Sequence, residues 1–323
     1  MAEKIQGRRV LIVEPGRVEL ASWEQPAPGP GQVLLAADKT LISPGTEMSR
    51  VYNTHRKPAP YPTNTGYLAT ARIAAAGEGV TAWRVGQRVL TSMSHISHLT
   101  VDARRAMTPL SGSVKSEHAV YANLATISLR GVLLGRIAPG RGALVIGQGL
   151  IGLLATFFAK RLGAWPVCAV DLSEQRLALS RKVGADRVLV PPRDGFASAV
   201  EGWLGADKPP VVIEATGTPT VFASCPAFAA DNGRLVILGG VHADVTMDLY
   251  SHVQKRNLQI LGCGYCSPEN GTGTDGQCEA MCLDVITRGE LDVAGMTTHM
   301  VGPGEAPDRK STRLNSSHGK LTR

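Results

Sequence analysis

The segment Gly147-Gln148-Gly149-Leu150-Ile151-Gly152 constrains the fold of this chain more than any other. Glycine triples at this spacing arise by chance. This one follows four apolar residues, Ala143–Ile146, and opens an apolar run, LIGLLATFFAKRLGA, of helical length. In a strand–turn–helix of this kind the first glycine permits a tight turn, the second lets backbone approach a pyrophosphate, and the third lets the helix pack close to the strand. Gly147, Gly149 and Gly152 take those places, with Leu150 and Ile151 opening the helix. A pyrophosphate would rest on that helix N-terminus, where free N–H groups and the helix dipole favour an anion. Asp171 closes the next apolar strand, where a carboxylate would bond the adenosine ribose hydroxyls and repel a 2′-phosphate, favouring NAD(H) over NADP(H). Arg176, a turn into the following helix, tempers that preference because it could swing towards a phosphate.

The rest of the chain falls into two styles. Up to about residue 125, short apolar runs punctuated by Gly and Pro (RVLIVEPGRVELASW, GQVLLAADKTLI, LATARIAAAGEGV, VGQRVLTSMS) predict strands joined by turns, a small β-rich barrel. From about 126 to 265, Val/Ile/Leu strands alternate with helices, which predicts a doubly wound parallel sheet ending at NLQILGCGYC. A Gly-rich loop and one helix, CEAMCLDVITRGEL, follow. The α/β class and two domains also suit a chain of 323 residues.

The formal charge of +7 invites a nucleic-acid partner, but Arg309, Lys310, Arg313, Lys320 and Arg323 concentrate much of it in the tail. A near-neutral body with a basic tail is no nucleic-acid surface. That tail, Asp308 to Arg323, reads like a translated sequencing adapter, so residues 308–323 are expected to be non-native and the natural C-terminus to be missing after about Pro307. The N-terminus lacks an apolar signal region, and the most apolar window, Ala143–Ala159, falls short of the ~20 residues that span a bilayer. A cytoplasmic protein without membrane contact, its six cysteines kept as thiols, is the expectation. Cys263, Cys266, Cys278 and Cys282 fit no standard zinc spacing, and buried thiols are the commoner outcome. His95 and His98 read as surface or cleft histidines, and His252, Lys255 and Arg256 as a solvated face.

These motifs resemble the medium-chain dehydrogenase/reductase, or alcohol dehydrogenase-like, superfamily over roughly Val10–Pro307. GEGVTAWRVGQRV resembles the family's barrel signature, VIGQGLIG its cofactor loop, and VVIEATG with GRLVILGG its later strands. The resemblance implies a GroES-like barrel over 1–125, completed by about 266–307, around a Rossmann domain over 126–265. It implies cofactor contacts from Leu172, Thr216, Gly217, Leu238 and Gly239 besides those above, and a homodimer or homotetramer formed through the Rossmann domain. SPGTE and DLYSHVQKRNLQILG resemble the branch of threonine-dehydrogenase-like and bacteriochlorophyllide hydroxyethyl dehydrogenases.

The family's zinc site does not carry over. Pro44 stands in place of the ligand cysteine, Tyr67 in place of the histidine, and Leu124 near the third position; none is an ordinary zinc donor. No cysteine precedes Cys168 to build the structural zinc lobe. The resemblance does place Thr46 where the family relays a proton from the substrate oxygen, and Ser49 where some members continue that relay. A carbonyl that accepts hydride needs a proton or a strong donor, and Thr46 with the phenol of Tyr67 is the available set. Glu47 reads as orienting its neighbours. The expected activity is zinc-independent, NAD(H)-dependent hydride transfer to a small carbonyl or from a secondary alcohol. A quinone- or enoyl-type C=C reductase and a dinucleotide-binding protein without turnover are the competing readings.

Overall fold

The computed structural model describes residues 4–56, 60–264 and 275–307, which divide into two compact units. Residues 4–121 with 297–307 form one, and Ala122–Met296 the other.

The first unit is antiparallel. β1 (Lys4–Glu14) and β2 (Arg17–Pro26) form a hairpin whose turn carries Pro15 and Gly16 at its centre, with Gly16 at φ +81°, the residue choice of a type II turn. β4 (Thr63–Asn64) pairs on the other edge of β1. A second sheet runs in the order β7 (His98–Asp102), β3 (Gln32–Thr40), β5 (Ala69–Ala76), β6 (Arg88–Thr91) and β8 (Thr108–Pro109). Val33, Leu35, Ala71, Ile73 and Val89 point to one face and form its core, the period-two pattern of a half-buried sheet. α1 (Pro44–Val51) lies between β3 and β4, and α2 (Ser116–Ala119) follows β8. The late segment returns to this unit: Thr297 Oγ1 lies 2.7 Å from the Tyr121 hydroxyl, and Ala306 packs against Val10, Ile12 and Val18.

The second unit opens with α3 (Ala122–Leu134) and then winds a six-stranded parallel sheet. Its strands are β9 (Ala143–Ile146), β10 (Val167–Val170), β11 (Arg187–Leu189), β12 (Val211–Glu214), β13 (Arg234–Ile237) and β14 (Gln259–Gly262). Their spatial order is β11-β10-β9-β12-β13-β14, so the winding reverses between β9 and β12, where doubly wound sheets bind ligands. β9, β10 and β12 are buried throughout, as strands covered by helices on both faces must be. The crossover helices are α4 (Leu150–Arg161), α5 (Glu174–Lys182), α6 (Phe196–Leu204) and α7 (Pro219–Phe228). α4 is apolar on most of its surface because it lies between the sheet and α3; its last turn carries Lys160 and Arg161, which suit the negative end of a helix dipole.

The sequence assigns residues 266–307 to completing the barrel, whereas the described part divides. α8 (Asp275–Thr287) packs on α3 in the second unit, and only 297–307 join the first. The α8 face that carries Cys278, Cys282, Val285 and Ile286 is buried, and covering that face against α3 fixes the helix there. Arg256 is not part of a solvated face: it is tied to the Asp231 carboxylate at 2.7 Å and to the carbonyls of Pro226 and Ala229 at the end of α7. No helix among the described residues is long and apolar enough to cross a membrane.

Candidate functional site

Two groups of functional residues emerge, one in each unit. In the second unit the glycine loop turns as its sequence requires. Gly147 sits at φ +88°, and its N–H donates to the Val170 carbonyl at 2.8 Å. A Cβ on Gly152 would meet the Gly147 carbonyl oxygen at 1.7 Å, so the third glycine is a contact requirement. A Cβ on Gly149 would meet no atom within 4 Å, so the middle glycine faces open space. Gly149 caps α4 without a side-chain hydrogen bond, and the first N–H groups of that helix have no intrahelical partner. That open, anion-favouring cradle fits a pyrophosphate.

Gln148, the one polar side chain of the loop, is its internal anchor. Fully buried, it accepts from the Thr156 and Ser180 hydroxyls at 3.0 and 2.9 Å and donates to the Val145 carbonyl at 3.1 Å. Its backbone N–H donates to Asp171 Oδ2 at 2.7 Å, while Ser173 N–H donates to Oδ1 at 2.8 Å. Asp171 is thereby locked at the end of β10 with lone pairs remaining for a diol. The Arg176 guanidinium stands 3.6 Å from Oδ2, and Leu172 beside it is 46% exposed.

The expected contacts at Thr216, Gly217, Leu238 and Gly239 converge on one buried residue, Glu214. Glu214 accepts from Thr216 N–H at 2.6 Å, Gly217 N–H at 3.0 Å and the Thr216 hydroxyl. Its carbonyl accepts from the N–H groups of Leu238 and Gly239 at 2.9 and 2.8 Å. Burial raises the Glu214 carboxyl above its ordinary range against the pull of those donors. Thr216 also closes on the glycine loop: a Cβ on Gly147 would meet its Cγ2 at 2.6 Å. All of these groups lie at the carboxyl ends of β9, β10, β12 and β13, around the point where the winding reverses.

In the first unit the chemistry gathers at the start of α1. Pro44 is its first residue and Ser43 its N-cap. Glu47, 1% exposed, accepts from Ser43 N–H at 2.7 Å on Oε1 and from the Thr65 hydroxyl at 2.8 Å on Oε2. His95 Nε2 donates to the same Oε2 at 3.0 Å, and its Nδ1 lies 2.7 Å from Thr40 Oγ1. His95 is 8% exposed, which corrects its reading as a surface or cleft histidine: the ring is enclosed because Gly66, at φ +87°, leaves room where a Cβ would sit 2.6 Å from it. The next residue, Tyr67, donates its hydroxyl to Ser43 Oγ at 3.0 Å. The Thr46 hydroxyl bonds to no other group among the described residues, whereas the Ser49 hydroxyl is spent on the Thr46 carbonyl at 2.8 Å.

Reasoning from the sequence missed Ser43, His95 and Gln148. The usable signal for the first two was the glycine before Tyr67, which implies a bulky neighbour, together with two hydroxyls flanking a buried acid.

The positions that would hold the family's zinc carry Pro44, Tyr67 and Leu124, the last buried in α3, and this donor set does not fit the metal. Cys266 lies outside the described residues. Among those described, no group of three His, Cys, Asp or Glu residues could hold a metal ion. Cys282 is fully buried beside Thr126, and burial pushes its thiol up to about 12. Iodoacetamide at about pH 8 is therefore expected to spare Cys282 in the folded protein and to alkylate it after denaturation, read by mass spectrometry. Equal labelling before and after denaturation would contradict that burial.

A family profile described as "Zinc-binding dehydrogenase" matches residues 151–275. An L-threonine 3-dehydrogenase of Thermococcus kodakarensis is 28% identical over 81% of this chain and 83% of its own length. An alcohol dehydrogenase of Cupriavidus necator is 25% identical over 90% of this chain and 91% of its own. Among solved structures, a putative zinc-binding dehydrogenase from Sinorhizobium meliloti bound to NADP superimposes with a TM-score of 0.81 at 20% identity, covering 95% of this chain and 96% of its own. With a GroES-like barrel unit, a Rossmann unit and relatives matched along most of its length, the chain belongs to the alcohol dehydrogenase-like medium-chain dehydrogenase/reductase superfamily, as an oxidoreductase.

Proposed function

We infer that the chain is a zinc-independent, NAD(H)-dependent oxidoreductase acting on a small carbonyl compound or secondary alcohol. The observation that supports the reading is an intact dinucleotide cradle in a chain whose residues at the family's zinc-donor positions, Pro44, Tyr67 and Leu124, do not fit the metal. Bound nicotinamide supplies or accepts the hydride. The chain's part is to seat the cofactor through Gly147–Gly152, to hold the adenosine ribose on Asp171, and to serve the substrate oxygen through Thr46 and Tyr67. Thr46 brings a hydroxyl bonded to no other group among the described residues, and Tyr67 brings a phenol that donates to Ser43 Oγ. A donor aimed at an oxygen that gains charge in the transition state is the kind of group that accelerates such a step. Assembly as a homodimer or homotetramer through the Rossmann unit belongs to the same proposal.

The test is NADH oxidation by the chelator-dialysed protein against aldehydes, ketones, quinones and enones, with product analysis and metal determination. Alcohol product from a carbonyl, with zinc well below one per chain, is the expected result. Zinc and activity lost together would overturn the metal-free reading. Saturated ketone as the product would move the function to C=C reduction, and tight NADH binding with no turnover on the whole panel would make the chain a dinucleotide-binding protein only.

Cofactor choice gives a second measurement. The Asp171 carboxylate opposes a 2′-phosphate, so NADH is expected to be preferred over NADPH by about tenfold or more in kcat/KM, about 1.4 kcal/mol. Asp171→Ser removes the repulsion and frees Arg176 from its 3.6 Å pairing, so the preference should fall to near unity or reverse.

A further inference from the structure

We propose that Ser43 is a further catalytic residue, the hydroxyl that hands its proton to the substrate oxygen while being refilled from Tyr67. The role rests on the reading that barrel-unit hydroxyls serve that oxygen.

An N-cap serine ordinarily spends its side-chain oxygen on the N–H of the second or third helical residue. Ser43 does not: α1 has no side-chain cap bond. Its Oγ instead accepts the Tyr67 hydroxyl at 3.0 Å. Glu47, four residues on, takes the Ser43 backbone N–H at 2.7 Å and fixes the residue from the other side. Glu47 is in turn held by Thr65 and His95. The Ser43 hydroxyl is therefore rigidly placed, 7% exposed for the whole residue, and accepts a hydrogen bond. Its own proton goes to no acceptor among the described residues. A nearly buried donor left unspent beside a phenol is costly for packing alone and suited to an oxygen that arrives with a ligand.

The step balances without a metal. As hydride from the nicotinamide adds to the carbonyl carbon, the π pair moves onto oxygen. That oxygen takes the Ser43 proton, Ser43 Oγ takes the Tyr67 proton, and the phenolate recovers one from water. One proton is consumed per carbonyl reduced, and the oxidation direction runs the same transfers backwards. A phenol is a far stronger acid than an aliphatic alcohol, so the phenol end of the pair sets the driving force and the serine end delivers the proton.

The experiment compares Ser43→Ala, Ser43→Thr and Tyr67→Phe, alone and with Ser43→Ala added to Tyr67→Phe. Readouts are carbonyl reduction, NADH affinity by fluorescence, thermal midpoint, and the 13Cζ resonance of Tyr67 in tyrosine-labelled protein, assigned by its loss in Tyr67→Phe. Expected are a kcat about 100-fold lower in Ser43→Ala, the lower end of what a positioned proton donor contributes, with NADH affinity unchanged. Ser43→Thr, which keeps the hydroxyl and an acceptable N-cap, should restore most of it. Ser43→Ala should cost little more once Tyr67 is Phe, because one relay has already been cut. The Tyr67 resonance should shift in Ser43→Ala without cofactor present. An unchanged kcat in Ser43→Ala, independent multiplication of the two losses, or a fixed Tyr67 resonance overturns the role of Ser43 while leaving the oxidoreductase reading intact. A wild-type chain that reduces no carbonyl overturns that reading and this role with it.

Discussion

Gly152→Val is expected to abolish NADH binding. Any side chain at this position starts with a Cβ placed 1.7 Å from the Gly147 carbonyl oxygen and 2.8 Å from its carbonyl carbon, and backbone cannot yield as a flexible side chain does. Either α4 moves off the strand or the turn at Gly147 opens. The turn is pinned on three sides, by the Val170 carbonyl, by Asp171 through Gln148 N–H, and by Thr216 against the Gly147 backbone. A displaced α4 takes its N-terminal N–H groups away from the pyrophosphate, so a fall in affinity of about 100-fold or more, about 2.7 kcal/mol, should be seen by NADH fluorescence titration. Gly149→Val is the informative companion. Its Cβ meets no protein atom, so the fold should persist with an unchanged thermal midpoint while the added methyls occupy the space a pyrophosphate needs. Retained affinity in Gly149→Val would mean that no cofactor lies over this turn.

The Rossmann unit was legible because its signals are local. A buried strand, a glycine turn and an apolar helix stand in sequence order, and Asp171 follows at the end of the next strand. The β-rich character of the first unit was legible for the same reason, from alternation and turn residues. The site in that unit was only half legible. Thr46 and Tyr67 could be placed through a motif, but the bonds that organise them join residues far apart in the chain: Ser43 with Tyr67, Glu47 with His95, Thr40 with His95. Antiparallel pairing of β3 with β5 and of β5 with β6 creates those neighbours, and no periodicity within one segment records which side chains will meet. Arg256 escaped for a related reason. A charged residue after a strand reads as solvated until the end of α7 is seen to need partners for its carbonyls, which the guanidinium supplies. The destination of α8 was misread because an amphipathic helix shows that it has a buried face without showing which surface covers it.

Glu47→Ala is expected to be among the most destabilising single changes in the first unit. The carboxylate gathers donors from Ser43, Thr65 and His95, among the described residues, in a space that admits almost no water. Removing one member of a buried, hydrogen-bonded pair strands its partners, at a cost of about 3–5 kcal/mol for charged groups, and each orphaned donor adds to that sum. The imidazole cannot turn outward to recover solvent, since it is enclosed by Gly66 on one side and tied to Thr40 on the other. Chemical denaturation monitored by tryptophan fluorescence should show the midpoint falling accordingly, with an unchanged slope if the native state stays compact. Glu47→Gln keeps the shape and one acceptor oxygen but turns an NH2 group towards donors, so it should fall between alanine and the wild type. His95→Leu asks the reverse question. It takes the imidazole from the carboxylate, and a loss comparable to that of Glu47→Ala would show that the pair acts as one unit. A loss below about 1 kcal/mol in both variants would reduce the pair to ordinary exposed-salt-bridge strength and remove the support it lends to the turn carrying Ser43 and Thr46.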